Sequence, residues 1–441
     1  MGIKGWLLAV SAVGLAALLL PPPPPDAHMP HRKPVYFWHP WSGDFEPYLI
    51  KACERFNASQ TEHEVIPVFT PNGGGDTKFL LSEAGGEGPD LVVQWGAVTG
   101  PWTDKGLLRP IDSVMTHEER ARYDAEAYPI AKKYSTYHGK YMCVVPGVDS
   151  YAVYYRLDDL KEVGRDENSL PTTLDDLVAL GKKLDRRDKD GNLRRIGFLP
   201  EGLFNWAPSF GCGFETEGGV HMDTPENRRA LNFIVGQVKR LGLDNVTRFT
   251  SSQPADVGAN APLLTGNMSI MVDGQWKVKQ AEDYAPKGFR FAVAPIPPPK
   301  GGVAMATNSS SNFLFIPAAS KNPEGAWAFI KFWMGFDNPE EGARNSIEMG
   351  WIPYSRKVVH CKVYQDYLAK HPQFKPFVAL IEGSHVELAP VGPLQKFVLD
   401  EITKADDLAT HLSVTPERAL ADLERNVKHE YARQRRLGNV R

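Results

Sequence analysis

Three observations predict an α/β protein of two or three domains with largely parallel sheets. The chain has 441 residues, too many for one ordinary hydrophobic core. Short strand-like apolar runs alternate with amphipathic helical patterns along its length. The helical patterns carry start and stop residues at their ends. An apolar content of 42% with 23% charged residues describes a globular chain, neither disordered nor embedded in a membrane.

The elements follow in order. Lys4 precedes an uncharged, mostly apolar run from Gly5 to Leu20, which has the length and flanks of an export signal. Residues 1–20 are therefore expected to be a signal segment or signal-anchor, and the body is expected outside the cytoplasm, at the periplasmic or extracellular face. The first cysteine is Cys53, so this segment offers no lipoprotein anchor. Prolines 21–25 follow directly and no clean A-x-A site precedes them, which leaves an uncleaved membrane tether open. Residues 21–34 form a Pro-rich linker whose five prolines would span roughly 15 Å at about 3.1 Å per residue.

Beyond the linker, Val35–Trp38, Val65–Phe69, Leu91–Val93, Met142–Val145, Tyr151–Tyr155 and Ile196–Leu199 read as strands, as do Ser269–Val272, Phe289–Val293 and Phe313–Ile316. Four helices are well punctuated. Thr172 or Thr173 starts one, with Asp175 and Asp176 placed to complete a capping box. Thr224 caps Pro225–Leu241, which Gly242 ends. Asn322 caps a helix opening at Pro323, with Trp327, Ile330 and Trp333 on one face. Thr415-Pro416-Glu417 opens the last, through Leu420, Leu423 and Val427.

Composition and motifs exclude several functions. Fifty basic and 53 acidic residues give a net charge of −3, with no basic stripe of the kind nucleic-acid binding uses. Cys53, Cys143, Cys212 and Cys361 are far apart and form no C-x-x-C pair, so buried thiols or a single bridge are expected, and no zinc site. There is no phosphate loop, no G-x-S-x-G elbow and no H-E-x-x-H. Gly73-Gly74-Gly75 reads as a turn. Asp188 to Asn192 resembles half a calcium loop, but its end positions would be Arg186 and Gly197, so it too reads as a turn. No cofactor or metal is implied. Acidic pairs such as Asp149 with Asp273 would be needed to flank a glycosidic bond, and the sequence gives no sign that they are held as an acid–base pair.

Tryptophan placement gives the positive signal. Six of the ten, Trp38, Trp41, Trp95, Trp206, Trp276 and Trp351, fall at loop positions, mostly just after strand-like runs. In an α/β protein such positions point toward the ligand crevice. Flat apolar rings beside polar groups suit a sugar. Trp38, inside the end of its strand, reads as core.

The run from Val35 to the last helix resembles the family 1 extracellular solute-binding proteins of ABC importers, the group of maltose-binding protein. The resemblance rests on segments in the family's order: Val35 to Gly43, Phe56-Asn57, Gly88 to Val93, Gly106 to Ile111, Tyr137 to Tyr141 leading to Pro146-Gly147-Val148, and Tyr154-Tyr155-Arg156. Pro171 to Leu177, Met271 to Trp276, Lys321 to Trp327 and Gly350 to Pro353 continue it. It implies the two-lobed periplasmic-binding-protein fold of type II, α/β throughout, with hinged lobes joined by crossover strands. Lobe 1 would take residues 35–144 and 294–347, and lobe 2 residues 145–293 and 348–441. It implies a monomer that captures a carbohydrate between the lobes without altering it and delivers it to membrane permease subunits.

Carried onto this sequence, Trp206 and Trp276 with Phe204 become the stacking candidates, and Asp149, Tyr151 and Asp273 polar contacts. His39, Trp41, Ser42, Gln94 and Trp95 would face them from the opposite lobe. Asn308, Ser310 and Ser311 replace a segment that is glycine-rich in the family. Trp351 would close the rim or pack the hinge. Asp90 reads as structural. The alternative ligand is a polyol phosphate such as glycerol phosphate, which would want basic cleft residues; the alternative activity is glycan processing by Asp149 and Asp273.

Overall fold

The computed structural model describes residues 29–438, except 44, 72–74, 96–97, 217–218, 254–257, 384 and 389. The expected export segment and most of the Pro-rich linker lie outside these residues. Among the described residues no helix is long and apolar enough to cross a membrane.

Ten strands build two five-stranded sheets. In chain order they are β1 (Lys33–His39), β2 (His63–Phe69), β3 (Leu91–Trp95), β4 (Leu108–Arg109), β5 (Tyr151–Arg156), β6 (Arg186–Arg187), β7 (Leu193–Phe198), β8 (Met268–Gly274), β9 (Phe291–Ala294) and β10 (Asn312–Pro317). The first sheet has the order β2-β1-β3-β10-β4 and the second β9-β5-β8-β7-β6. β1 pairs with β2 in parallel, Val35 opposite Val65, and Pro67 is tolerated because β2 lies at the sheet's edge.

The sheets are more mixed than the sequence predicts. β10 runs antiparallel to β3, and β5 antiparallel to both β8 and β9. Both β5 and β10 follow segments that cross between the sheets. A strand arriving that way has no helical crossover to set it parallel. Met142–Val145, expected as a strand, lies in such a crossing segment and makes only a single bridge, Val144 to Leu314.

Among the helices that frame the sheets are α1 (Glu46–Ser59), α2 (Leu174–Leu184), α3 (Leu203–Phe210), α4 (Pro225–Leu241), α5 (Trp276–Tyr284), α6 (Pro323–Met334), α7 (Gln395–Thr410) and α8 (Pro416–Arg436). The caps of α2, α4, α6 and α8 follow the sequence. Thr173 accepts from Asp176 N at 3.2 Å, Thr224 from Asn227 N at 3.1 Å, Asn322 from Gly325 N at 3.0 Å and Thr415 from Arg418 N at 3.3 Å. The Asp176 carboxylate does not complete a capping box at α2; it turns to Arg165, at 2.7 and 2.9 Å. Asp90 is structural, as its position suggests. It accepts from Tyr36 N at 3.0 Å, Ser320 Oγ at 3.0 Å, and Lys321 N and Asn322 N at 2.8 Å each, tying β1 to the start of α6.

One apolar core lies about the first sheet, with Val35, Phe37, Val92, Phe315 and Trp333. A second lies about the other, with Val153, Phe198, Trp206, Leu231 and Ile270. Tyr354, Val358, Tyr364, Phe377 and Ile381 belong to an apolar cluster that takes in residues of both sheets, and Phe377 meets the Tyr154 ring of β5 at 5.6 Å. From α7 onward Val398, Ile402, Leu420 and Leu423 lie in the second core. The helices Lys362–Lys370 and Lys375–Glu382 present amphipathic faces that either lobe would accept, so their destination is not written in their own pattern.

The crossing segments are laced together. Gly147–Val148 pairs antiparallel with Ile352–Pro353, Asp149 N donates to Ser310 O at 3.2 Å, and Ser150 Oγ donates to Phe377 O at 3.1 Å. The lobes also meet away from the hinge. Tyr48 of α1 donates to Asp283 of α5 at 3.2 Å. Gly100, in the short helix Thr99–Asp104, lies so close to the backbone just before α7 that a Cβ there would overlap the Gly392 carbonyl. All four cysteines are free, Cys53 and Cys143 buried. Asp188 closes the β6–β7 turn by accepting from Asp190 N at 3.0 Å and Asn192 N at 2.9 Å.

Candidate binding site

A cleft of about 640 Å³ opens between the two sheets. The C-terminal ends of β1, β3 and β8 lead into it, as the α/β rule for ligand crevices requires. From the first lobe Trp41, Phe45, Trp95, Asn312 and Phe313 line it, with Tyr134 behind. Phe204 of α3, Asp273 at the end of β8, Trp276, Lys277 and Gln280 of α5 and Leu399 of α7 line it from the second. Asp149, Ser310, Ser311, Met349 and Trp351 come from the crossing segments and their flanks.

The rings are held in place by packing. Trp41 stacks on Trp333 with centroids 6.2 Å apart and planes 23° apart, and leans on Trp351 at 5.6 Å. Trp351 fits because Gly147 has no side chain: a Cβ there would come within 2.8 Å of the Trp351 Cβ. Trp276 meets the Tyr151 ring edge-on at 5.5 Å and 89°. Its ring covers Gly274, where a Cβ would overlap it. Trp95 is 48% exposed and forms an open rim.

Asp149 is the buried carboxylate of the cleft. Gln275 Nε2 donates to its Oδ1 at 2.7 Å, and Ser310 Oγ lies 3.4 Å from Oδ2. Burial pushes its pKa up to about 7, and these two donors only partly oppose the shift. Asp273, in contrast, has Lys277 Nζ at 3.5 Å and accepts from Gly274 N at 2.7 Å. Two amide oxygens on the lining, Gln280 Oε1 and Asn312 Oδ1, are buried and have no hydrogen-bond partner among the described residues. The described residues contain no cluster of three metal-ligating side chains.

The cleft brings together Trp41, Trp95, Asp149, Phe204, Asp273, Trp276, Ser310, Ser311 and Trp351 of the sequence candidates. The others stand elsewhere. Trp206 is fully buried in the second core, edge-on to Phe198 at 5.7 Å and Phe233 at 5.0 Å. It lies in helix α3, not a loop, and two residues from Phe204 it faces the opposite way. His39 is 2% exposed and backs Trp41 at 6.3 Å; burial lowers its pKa to about 4, so it is neutral. Gln94 Oε1 accepts from Trp95 N at 2.9 Å, fixing the backbone beneath the rim ring. Tyr151 stands behind the lining, its hydroxyl 3.2 Å from Ser310 Oγ. Asn308 is buried and donates to Asn205 Oδ1 at 2.6 Å. Ser42 is exposed beyond the lining. Trp38 is buried in β1.

Some lining residues escaped the sequence reading. Gln280 sits one helical turn beyond Trp276 and was recoverable from i, i+4 spacing. Tyr134, Met349 and Leu399 come from distant parts of the chain and carry no local signal. Arg356 does not line the cleft; it stacks over the Tyr128 ring at 4.9 Å.

The profile of the family described as bacterial extracellular solute-binding protein matches residues 42–335. The maltotriose-binding protein of Pyrococcus abyssi is 23% identical over 344 residues, 74% of this chain and 67% of its own length. The sn-glycerol-3-phosphate-binding periplasmic protein of Shigella dysenteriae is 20% identical over 359 residues, covering 77% of this chain and 78% of its own. Among solved structures, CpMnBP1 with mannobiose bound superposes with a TM-score of 0.78 at 23% identity, over 89% of this chain and 99% of its own. MalE3 of T. maritima with maltose bound gives 0.73 at 22% identity, over 90% and 99%. These likenesses show the two-lobed type II periplasmic-binding-protein fold. With the profile spanning most of its length and the cleft lying between its lobes, the chain belongs to the bacterial extracellular solute-binding protein family.

Proposed function

We propose that this protein is the extracytoplasmic substrate-binding subunit of an ABC importer, taking a sugar or oligosaccharide into the interlobe cleft and delivering it to a membrane permease. One observation carries the reading. Four tryptophans, Trp41, Trp95, Trp276 and Trp351, wall a cleft whose polar groups include Asp149, Gln280, Ser310 and Asn312. Flat apolar faces beside hydrogen-bonding edges match the two sides of a pyranose ring. The maltotriose-, mannobiose- and maltose-binding relatives support the same class of ligand.

Capture follows from the hinge. A ligand touching both lobes stabilises the closed arrangement, because only that arrangement makes both sets of contacts. The protein acts as an exported monomer, either cleaved or tethered by its N-terminal segment, and the closed complex is what the permease recognises. It performs no reaction on the ligand: Asp273 is occupied by Lys277, and Asp149 is held by Gln275. The glycerol-phosphate-binding relatives favour a second reading, a polyol phosphate. The cleft argues against it, since the one lysine among its described lining residues already faces Asp273, while Asp149 would repel a dianion.

The test is a thermal-shift screen over sugars, polyols and their phosphates. A true ligand at 100 times its dissociation constant should add about 2.7 kcal/mol of stability. Shifts confined to phosphates would overturn the carbohydrate reading. Appearance of shortened saccharides on prolonged incubation would overturn the non-catalytic one.

A further inference from the structure

The polar groups of the cleft are unequal in kind. Asp273 has a cationic neighbour in Lys277, at 3.5 Å. Asp149 has none among the described residues: its partners are the Gln275 amide and the Ser310 hydroxyl, both neutral. The residue is only 6% exposed, so water does little to screen it. The empty valences point the same way. Gln280, 6% exposed, and Asn312 each present a buried amide oxygen with no partner among the described residues, and both line the cleft. These groups are acceptors: one carboxylate and two amide oxygens.

A neutral hydroxyl would satisfy one acceptor at a time and bring Asp149 no opposite charge to hold it as a carboxylate. A protonated amine carries three donors, no acceptor and the opposite charge. The walls suit it as well, since aromatic faces attract cations through the ring quadrupole. Asp149 stands beside such a wall. Gln275 holds its carboxyl while the next residue, Trp276, supplies a ring, and Tyr151 meets both that ring and Ser310.

We propose that the solute this cleft selects is an amino sugar or amino oligosaccharide, its ammonium group set against Asp149 and the acceptors around it. This rests on the carbohydrate reading and narrows it to one chemical class.

The experiment measures binding of matched saccharide sets by isothermal titration calorimetry and thermal shift at pH 7. Each set holds one sugar of a given linkage as the free amine, the N-acetylated form and the hydroxyl form. In at least one set the free amine should bind at least tenfold more tightly than both neutral forms. Asp149→Asn should collapse that gap to within about twofold, because the isosteric amide removes the charge and keeps the shape. Neutral forms binding as tightly as the amine throughout would overturn the inference and leave the sugar reading standing. No binding by any saccharide would overturn both. The wild-type comparison decides the matter whether or not the variant folds.

Discussion

Phe204 and Trp206 lie two residues apart on α3, and their side chains part company: one lines the cleft, the other fills the second core. Trp206→Ala should therefore lower stability by about 3–5 kcal/mol, read from the urea midpoint, with ligand binding lost only through unfolding. Trp276→Ala should weaken binding about tenfold or more in calorimetry while moving the midpoint by about 1 kcal/mol or less. Asp149 adds a pH signature. Its folded pKa of about 7 stands above its ordinary 3.8, so between these values the folded state holds a proton that the unfolded state has lost. Stability from this group falls as pH rises through that window, and the penalty is complete above pH 7. The melting-point difference between Asp149→Asn and wild type should then grow from near zero at pH 4 to a clear gain for the variant at pH 8. At this scale the sequence showed the rings that follow strands, Trp41, Trp95 and Trp276, because strand ends have a fixed relation to the crevice. It misplaced Trp206, where a short helix looked like a loop, and it was blind to Tyr134 and Leu399, which reach the cleft only through tertiary folding.

Among the elements, α6 shows how a helix start is anchored from outside itself. Its own cap, Asn322, was legible from the Asn-Pro pair. The reason the helix begins against β1 is Asp90, whose one carboxylate collects three backbone N–H groups and a hydroxyl. Asp90→Ala would strand those donors in a buried place. A loss of about 2–4 kcal/mol is expected in urea unfolding, with unchanged ligand ranking among the molecules that remain folded. Helix punctuation was readable because caps are local chemistry: Thr224, Asn322 and Thr415 each bond within three residues. Strand direction was not, because β5 and β10 take theirs from the lobe they arrive from. The same holds for Lys362–Lys370 and Lys375–Glu382, whose amphipathic faces say that they pack and not on which core.

At the scale of the whole molecule, the alternation of strands and helices and the order of short motifs carried the two-lobed fold. Closure joins surfaces that are far apart in sequence, Tyr48 to Asp283 at one place and Gly100 to Gly392 at another. The second of these has room for no side chain. A methyl group at Gly100 would act as a doorstop, holding the lobes ajar without touching any ligand. Apparent affinity scales with the fraction of molecules able to close, so Gly100→Ala should weaken every ligand by one common factor and preserve their order. Changes in the aromatic walls alter which solute is chosen; a change at this bare stretch of backbone would alter only how often the choice is made.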